Sequence, residues 1–301
     1  AFTRQADNHR LNDVKGSVTV TPNGASKYFL VGNPFMSDMN VAAFLSHNSS
    51  KVSQKFWLVR GDDKPVGLTA VTVGQQSFSN DDEEAATRVA PLQGFFVEAI
   101  DDAVESLTLD YTPDMILRRP QSGTDNVALR KPHREAAGDM MTISAVTNDT
   151  LTLSRAILRL DRAASTGYGE EDAALILDPV MTPGAKVYTT AEGMATMINA
   201  TPDAEGVEIG LVNIGDEDVP AGTVIRFEDV DSLCDYMLKD VATGETMPID
   251  EGMEISVEGN ICGRYFLTRS DVEQEFKSIQ VSVQDGEVTV TTGRDKLNAE
   301  V

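Results

Sequence analysis

The residue types that most often carry catalysis are sparse in this 301-residue chain and form no familiar constellation. The three histidines, His9, His47 and His133, lie far apart in sequence and show neither triad nor metal-ligand spacing. The sequence also lacks the glycine-rich phosphate motifs, a Gly-x-Ser-x-Gly elbow and a His-Glu-x-x-His motif. Its 48 acidic residues offer so many carboxylate pairs that no single pair indicates glycoside hydrolysis. We therefore predict that the chain is not an enzyme.

Acidic clusters in predicted loops are the candidates for a bound ion. Residues 170–172, 216–218 and 228–231 place carboxylate oxygens in loops, and calcium prefers such hard ligands. None of the three matches the twelve-residue Asp-rich calcium loop, and acidic runs more often form a solvated surface. We expect no cofactor, keep calcium as the alternative, and assign no metal ligands.

Trp57 is the one tryptophan of the chain and the candidate contact for a ligand. It lies in the strand-like run Lys-Phe-Trp-Leu-Val at residues 55–59, where it alternates with Phe56, so one of the two rings should face outward. An exposed indole could stack on a sugar, whereas a buried one would pack in the core. The sequence leaves both roles open for Trp57.

The only cysteines, Cys234 and Cys262, lie at predicted strands of the same domain, just before 235–240 and 264–269. They could form one disulfide, as is common in exported proteins, or remain as two buried free thiols.

Short alternating runs separated by turn residues dominate the sequence. We predict strands at 17–20, 27–31, 55–59, 67–73, 94–99, 106–111, 140–146, 150–160, 185–190, 206–212, 222–227, 235–240 and 264–269. A short helix is predicted over 39–45, capped by Ser37 or Asp38, and helical turns are predicted within 170–177 and 191–198. A final hairpin is predicted from strands 279–283 and 287–291 around Asp285-Gly286.

Many short strands with frequent turns are typical of antiparallel sandwiches. We predict an all-β chain with two tandem antiparallel β-sandwich domains, jelly-roll-like, plus a C-terminal β-hairpin. The predicted boundaries are a lead-in at 1–15, the first sandwich at 16–115, a linker at 116–138, the second sandwich at 139–271 and the terminal hairpin at 272–301.

Charge excludes some partners. The chain has 25 basic and 48 acidic residues, so its formal net charge is −23 at pH 7. Phosphate backbones and anionic lipids bind basic surfaces, so we predict no nucleic-acid partner. No apolar run approaches the length of about eighteen residues that a membrane helix needs, so we predict no membrane-spanning segment.

Several phrases of the sequence resemble one family. They include LVGNPF at 30–35, APLQGFFV at 90–97, YTPDM at 111–115, YMLKD at 236–240 and GRYFL at 263–267. In order and type they resemble the C-terminal β-sandwich region of Bacteroidetes surface proteins that use type IX secretion. The run at 278–290 is similar to the first hairpin of the sorting domain of that family, and the later strands of that sorting domain are not found before Val301.

The resemblance implies an extracellular location on the bacterial outer-membrane surface. It implies a non-catalytic structural or adhesive segment that acts as a spacer or assembly subunit and contacts other surface-protein domains or neighbouring subunits. The alternative is a glycan- or host-ligand-binding module appended to a secreted enzyme. Asp149-Thr150-Leu151 and Asp231-Ser232-Leu233 resemble the O-glycosylation acceptor of this bacterial group, so Thr150 and Ser232 are candidate glycosylation sites.

Overall fold

In the residues that it describes, a computed structural model shows a mostly β protein with one short helix. The structure describes residues 16–21, 27–60, 67–73, 78–79, 87–101, 104–117, 140–147, 151–177, 182–215, 218–233, 235–269, 280–284, 287–291 and 296–300. Within these ranges, no helix has the length and hydropathy that crossing a membrane would require. The predominance of strands confirms the predicted β class.

Described residues between 16 and 117 form what we call the first unit. Its elements are β1 (Gly16–Val20), β2 (Tyr28–Gly32), β3 (Met39–Asn40), α1 (Val41–His47), β4 (Val52–Arg60), β5 (Gly67–Thr72), β6 (Phe78–Ser79), β7 (Arg88–Val89), β8 (Gly94–Ala99), β9 (Leu107–Tyr111) and a 3₁₀ turn at Pro113–Met115.

Described residues between 140 and 269 form the second unit. Its elements are β10 (Met140–Thr147), β11 (Leu151–Leu160), β12 (Ala173–Ala174), β13 (Gly184–Ala191), β14 (Met194–Thr201), β15 (Glu208–Ile214), β16 (Thr223–Glu228), a 3₁₀ turn at Val230–Leu233, β17 (Tyr236–Asp240), β18 (Thr246–Pro248), β19 (Glu254–Ser256) and β20 (Ile261–Arg269).

The first unit contains a five-stranded antiparallel sheet in the order β2-β8-β4-β5-β6, with small two-stranded sheets β1-β9 and β3-β7 beside it. Alternate residues of each strand point to opposite faces of the sheet. Phe29, Val31, Phe95 and Val97 therefore share one face, and they are buried in a common core with Leu109 of β9. The opposite face, which we call the outer face, carries Trp57.

The Gly-Asn-Pro turn after β2 lies against the turn before β8. Gly32 pairs with Gly94, and Asn33 is 2% exposed. The Asn33 Nδ2 amide donates to the backbone oxygens of Ser37 (2.9 Å), Val89 (3.0 Å) and Ala90 (3.1 Å), and its Oδ1 accepts from the Phe35 amide (2.9 Å). The two sequence phrases at 30–35 and 90–97 thus meet at one buried side chain.

The second unit is built on an eleven-stranded, curled mixed sheet of half-barrel shape. Its order is β18-β17-β20-β15-β13-β14-β11-β10-β16-β19, and β12 pairs with β14 off this path. The pairs are antiparallel except β11 with β14, which run parallel. A parallel pair needs a long crossover connection, and residues 161–193 provide it.

The predicted helical turns at 191–198 and 170–177 are wrong. Residues 194–201 are strand β14, and Ala173–Ala174 is a short strand. Ala191 pairs with Met194 across a two-residue turn in which Glu192 (φ 48°) and Gly193 (φ 82°) both have positive φ. Such a turn favours a hairpin because its twist matches that of the flanking strands, so the chain reverses where a helix was expected.

The predicted cap of the short helix is also wrong. Helix α1 begins after Asn40, whose Oδ1 accepts from the Ala43 amide at 3.2 Å. Ser37 and Asp38 precede β3, which holds Met39 and Asn40 in extended backbone until the cap. The helix itself, over 41–47, lies close to the predicted span.

Three further strands form a separate antiparallel sheet at the end of the chain. They are β21 (Gln280–Gln284), β22 (Glu287–Thr291) and β23 (Lys296–Glu300), in the order β21-β22-β23. The predicted hairpin is present, with Val281 opposite Val290, and a third strand follows it.

Candidate functional site: the contact between the two units

Trp57 lies between the two units and is fully buried. Its neighbour Phe56 faces the core of the first unit, so the two rings alternate as the sequence predicted. The Trp57 indole Nε1 donates to the backbone oxygen of Ala174 at 3.0 Å, and Tyr28 meets the ring edge-on at 5.3 Å between centroids. Because the indole is covered by the second unit, it offers no ring face to a glycan.

Apolar side chains from both units surround Trp57. The first unit contributes Ala70 and Phe96, and the second contributes Ala173, Leu175, Ile176, Tyr188, Met197 and Ile198. Burial of this surface removes apolar area from water, which stabilises the contact. The outer face of the five-stranded sheet is therefore packed against the region of β12, β13 and β14.

An ion cluster borders this apolar contact. The carboxylate of Glu98, in β8, lies 2.7 Å from Lys27 Nζ and 3.3 Å from Lys55 Nζ. It also accepts from Ser53 Oγ at 3.1 Å and from the Tyr168 hydroxyl at 3.2 Å. Three of these partners belong to the first unit, and Tyr168 belongs to the second.

Lys55 connects the two units most directly. Its residue is 1% exposed, and its Nζ donates to the Gly169 backbone oxygen at 2.8 Å and to the Tyr168 hydroxyl at 3.1 Å. The same ammonium lies 4.2 Å from the centre of the Tyr168 ring, a favourable cation–π distance. A buried ammonium must be paired, and here a carboxylate of one unit and a loop of the other supply its partners.

The loop that supplies Tyr168 is held by a buried aspartate. Asp172 Oδ2 accepts from the Gly169 amide at 2.6 Å, and its Oδ1 accepts from the Ala200 amide at 2.7 Å. Burial raises the pKa of Asp172, although the two backbone donors oppose that shift. Next to it, Glu170 Oε2 accepts from the backbone amide of Gln54 at 3.3 Å, which adds another contact between the units.

Electrostatics suit this cluster to holding charge rather than to moving protons. Burial acts to raise the pKa of Glu98, but Lys55 and Lys27 outweigh burial, and the pKa of Glu98 is below its usual value. Burial, and then the Glu98 charge, raise the pKa of the Tyr168 hydroxyl well above its ordinary value. A carboxylate that stays ionised beside a phenol that stays protonated makes a poor general acid–base pair near neutral pH.

Of the other predicted site residues, the structure describes Ser232 and Cys262. Ser232 lies in the 3₁₀ turn at Val230–Leu233, while Thr150 and Cys234 lie outside the described residues. Cys262 is exposed on β20. The predicted disulfide and both glycosylation sites therefore stay predictions.

The predicted acidic clusters are also only partly described by the structure. Asp216 and Glu217 lie outside the described residues. In the cluster at 228–231, Glu228 accepts from Ser144 Oγ at 3.4 Å and Asp229 from Thr142 Oγ1 at 3.0 Å. Across the part of the chain that the structure describes, no group of three or more His, Cys, Asp and Glu side chains is arranged to hold a metal ion.

Sequence reasoning missed the cluster of Lys55, Glu98 and Tyr168. A partial signal was present, because Lys55 borders the apolar run at 56–59 and Glu98 interrupts the apolar strand β8, both on the face that alternation assigns to the outside. Charged residues at such positions usually contact water, so the pattern alone does not indicate a second unit.

Comparison of the chain with protein-family models, with curated proteins and with solved structures gives no match in any of the three.

Proposed function

We propose that this chain is a non-catalytic structural segment of an exported bacterial surface protein, acting as a spacer or assembly subunit. The observation that carries the proposal is the contact between the two units, where Trp57 and Lys55 are both buried against the second unit. A spacer must hold its parts at a fixed distance, and domains joined only by a linker move relative to each other. Apolar burial combined with a paired ion cluster provides a fixed joint.

We also propose that the two units are tandem β-sandwiches. Each has its own buried core, one containing Phe44 and Phe95, the other containing Phe227 and Leu238. In the first unit, Leu109 and Tyr111 of β9 pack across that core against the five-stranded sheet, as the facing layers of a sandwich do. The separate cores support two domains, and the resemblance of the sequence phrases supports an extracellular location.

Spin labels can test the fixed joint. One label is placed at Met36 of the first unit and one at Val241 of the second, both exposed, after Cys234 and Cys262 are changed to serine. We expect a single narrow distance distribution in frozen solution, unchanged when residues 118–139 are cleaved at an inserted protease site. A broad distribution, or separation of the two halves after cleavage, would contradict the spacer role.

Antibody labelling of intact producing cells tests the location independently. Labelling without permeabilisation is expected for a surface protein, and labelling seen only after permeabilisation would contradict the exported role. Intact-mass measurement of the native protein in parallel would show whether Thr150 and Ser232 carry glycans.

A further inference from the structure

The small sheet of the first unit consists of β1 and β9, and a side chain covers its edge at β9. The Asp110 amide donates to Asn48 Oδ1 at 2.9 Å, and the Asp110 oxygen accepts from Asn48 Nδ2 at 2.9 Å. Both backbone groups of Asp110 therefore point away from β1. Across the pair, Ser17 lies opposite Asp110 and Thr19 lies opposite Thr108.

The contact with Asn48 fixes which residues of β1 bond β9. In an antiparallel pair, residues that exchange both backbone hydrogen bonds alternate with residues that exchange none. Because the Asp110 backbone bonds Asn48, Ser17 exchanges no backbone bond with Asp110, and Thr19, two residues further on, exchanges none with β9 either. The N–H and C=O groups of Ser17 and Thr19 therefore point to the other side of β1, where no described residue bonds them.

Strand β1 lacks the features that protect the two ends of the large sheet. There, β18 contains Pro248, and β19 carries Glu254 in an ion pair with Arg226 at 2.6 Å. Proline and charge are common devices that prevent an edge strand from pairing with another chain. The sequence of β1, GSVTV, contains neither, although the whole chain has a net charge of −23. Two strands alone form a marginal sheet, so this sheet is one that further strands would stabilise.

We propose that β1 pairs with β1 of a second copy of this chain, antiparallel about a two-fold axis at Val18. Ser17 then lies opposite the partner's Thr19, and Thr19 lies opposite the partner's Ser17, so the outward amides of each strand meet the outward carbonyls of the other. The two small sheets become one four-stranded sheet in the order β9-β1-β1-β9. This contact rests on the proposed role as an assembly subunit and names the surface through which assembly occurs.

The side chains of β1 fit this register. Ser17 and Thr19 are exposed, and their hydroxyls already bond across the sheet, Ser17 to Asp110 Oδ1 at 2.7 Å and Thr19 with Thr108 Oγ1 at 2.9 Å. Asp110 is itself paired with Lys51 Nζ at 2.8 Å. Pairing with a second copy places another serine or threonine hydroxyl beside each of these, and such cross-strand pairs are favourable.

Charge argues for a second copy at this strand. Two copies that each carry −23 repel each other, so contact is least costly where both surfaces lack charge, as at β1. An isologous contact requires a self-complementary surface, and Ser17 and Thr19 lie symmetrically about Val18. Because the paired segment is short, we expect a weak dimer with a dissociation constant on the order of 100 μM or below. Salt screens the repulsion, so the dimer should tighten as the NaCl concentration rises toward about 0.5 M.

Sedimentation equilibrium of two variants at one position tests the pairing. Thr19→Pro removes an amide hydrogen that points to the partner, and proline is tolerated in an edge strand whose N–H faces outward. The dissociation constant should rise at least about tenfold, because the two-fold axis removes two hydrogen bonds. The matched control is Thr19→Ala, which loses the same hydroxyl but keeps the amide, and it should dimerise within about threefold of the parent. Thermal unfolding of each variant checks its fold.

A cross-link tests the register without a proline. In a chain with Cys234→Ser and Cys262→Ser, Val18→Cys should give a disulfide-linked dimer under mild oxidation, because the axis places residue 18 opposite itself. Thr19→Cys in the same background is the control. Thr19 is more exposed than Val18, but in this register it lies opposite residue 17, so its cross-link should form far more slowly.

Three outcomes would overturn the proposal. They are a parent chain that stays monomeric up to about 300 μM in about 0.5 M NaCl, equal weakening by Thr19→Pro and Thr19→Ala, and faster cross-linking through Thr19→Cys than through Val18→Cys. If Thr19→Pro fails to fold, the cross-link decides alone. These assays report contact between chains, whereas the spin-label distance reports the joint within one chain, so failure of this contact is distinguishable from failure of the spacer role.

Discussion

Two buried polar side chains of the first unit act in different ways. Asn33 is neutral, and its side-chain partners all belong to the first unit. Glu98 is charged, and its partners include two lysines and Tyr168 of the second unit. The difference shows that one kind of buried polar group shapes a turn within a unit, while the other joins two units through charge.

The partners of Asn33 explain the choice of residue. Three carbonyl oxygens require a donor, and the Phe35 amide requires an acceptor, so a side-chain amide satisfies both from one position. An aspartate would present only acceptors to the three carbonyls. The Gly-Asn-Pro phrase and the phrase at 90–97 are therefore physically linked, because one side chain bonds the backbone of both.

The largest expected effect is at Glu98. Glu98→Ala leaves Lys27 and Lys55 without their buried carboxylate, and breaking such a pair costs about 3–5 kcal/mol. We expect urea unfolding to split from one transition into two, and the fluorescence of Trp57, the single tryptophan, to shift to the red as the units separate.

The control for Glu98 is Glu254→Ala. Glu254 pairs with Arg226 on the surface of the second unit, and such a pair contributes less than about 1 kcal/mol. If Glu98→Ala is no more destabilising than this control, the charge cluster does not hold the units together.

The second effect, at Asn33, should remain within the first unit. Asn33→Ala leaves buried carbonyls and one amide unbonded, and we expect a loss of about 3 kcal/mol. Asn33→Asp should be no less destabilising, since it keeps the shape but loses the donors. Asn40→Ala, which removes only the helix cap, should cost about 1 kcal/mol. Urea unfolding should show that the stability of the second unit is unchanged in Asn33→Ala. If the two units of Asn33→Ala instead separate before the first unit unfolds, Asn33 also holds the units together and does not differ from Glu98 in that respect.

The smallest effect is that of pH. The lysines hold the pKa of Glu98 below its ordinary value of 4.5 against the effect of burial, so its stabilising contribution is present above about pH 4.5 and is lost as pH falls through the folded-state pKa. Asp172 acts in the opposite direction, because burial raises its pKa and the folded state tolerates its protonation. Trp57 fluorescence should report opening of the units in acid, and Glu98→Gln should remove most of this dependence. An acid transition that is identical in Glu98→Gln would assign it to other groups.

The alternation of apolar and polar residues was enough to predict most strands, but it did not predict what covers each face of a sheet. Strand β8 has the predicted bounds, 94–99, and the alternation of Phe56 with Trp57 is as expected. Alternation separates two faces of a sheet, but it does not tell whether water or another unit covers the outer one. Glu98 and Tyr168 are 70 residues apart, and no local signal brings them together.

The wrong predictions were of another kind. At 191–198, several residues have good helix propensity, so a helical turn was predicted. The chain instead makes a tight turn, which depends on the positive φ of Glu192 and Gly193. The cap failed because Ser37 and Asp38 are good cap residues, but the strand β3 extends the chain past them to Asn40. In both cases tertiary pairing outweighed local preference.

The pairing of β1 with β9 sets an order on how the chain can fold. Gly16 lies opposite Tyr111, and the Leu117 amide donates to the Asp38 oxygen at 2.8 Å, so the first unit is closed by its own last residues. A chain that emerges from its N-terminus cannot complete this unit until residue 117 is free. Contacts that distant in sequence form slowly. Strand β1 therefore has no strand to pair with until β9 is available, whereas the five-stranded sheet, whose strands all lie within residues 28–99, can pair before then.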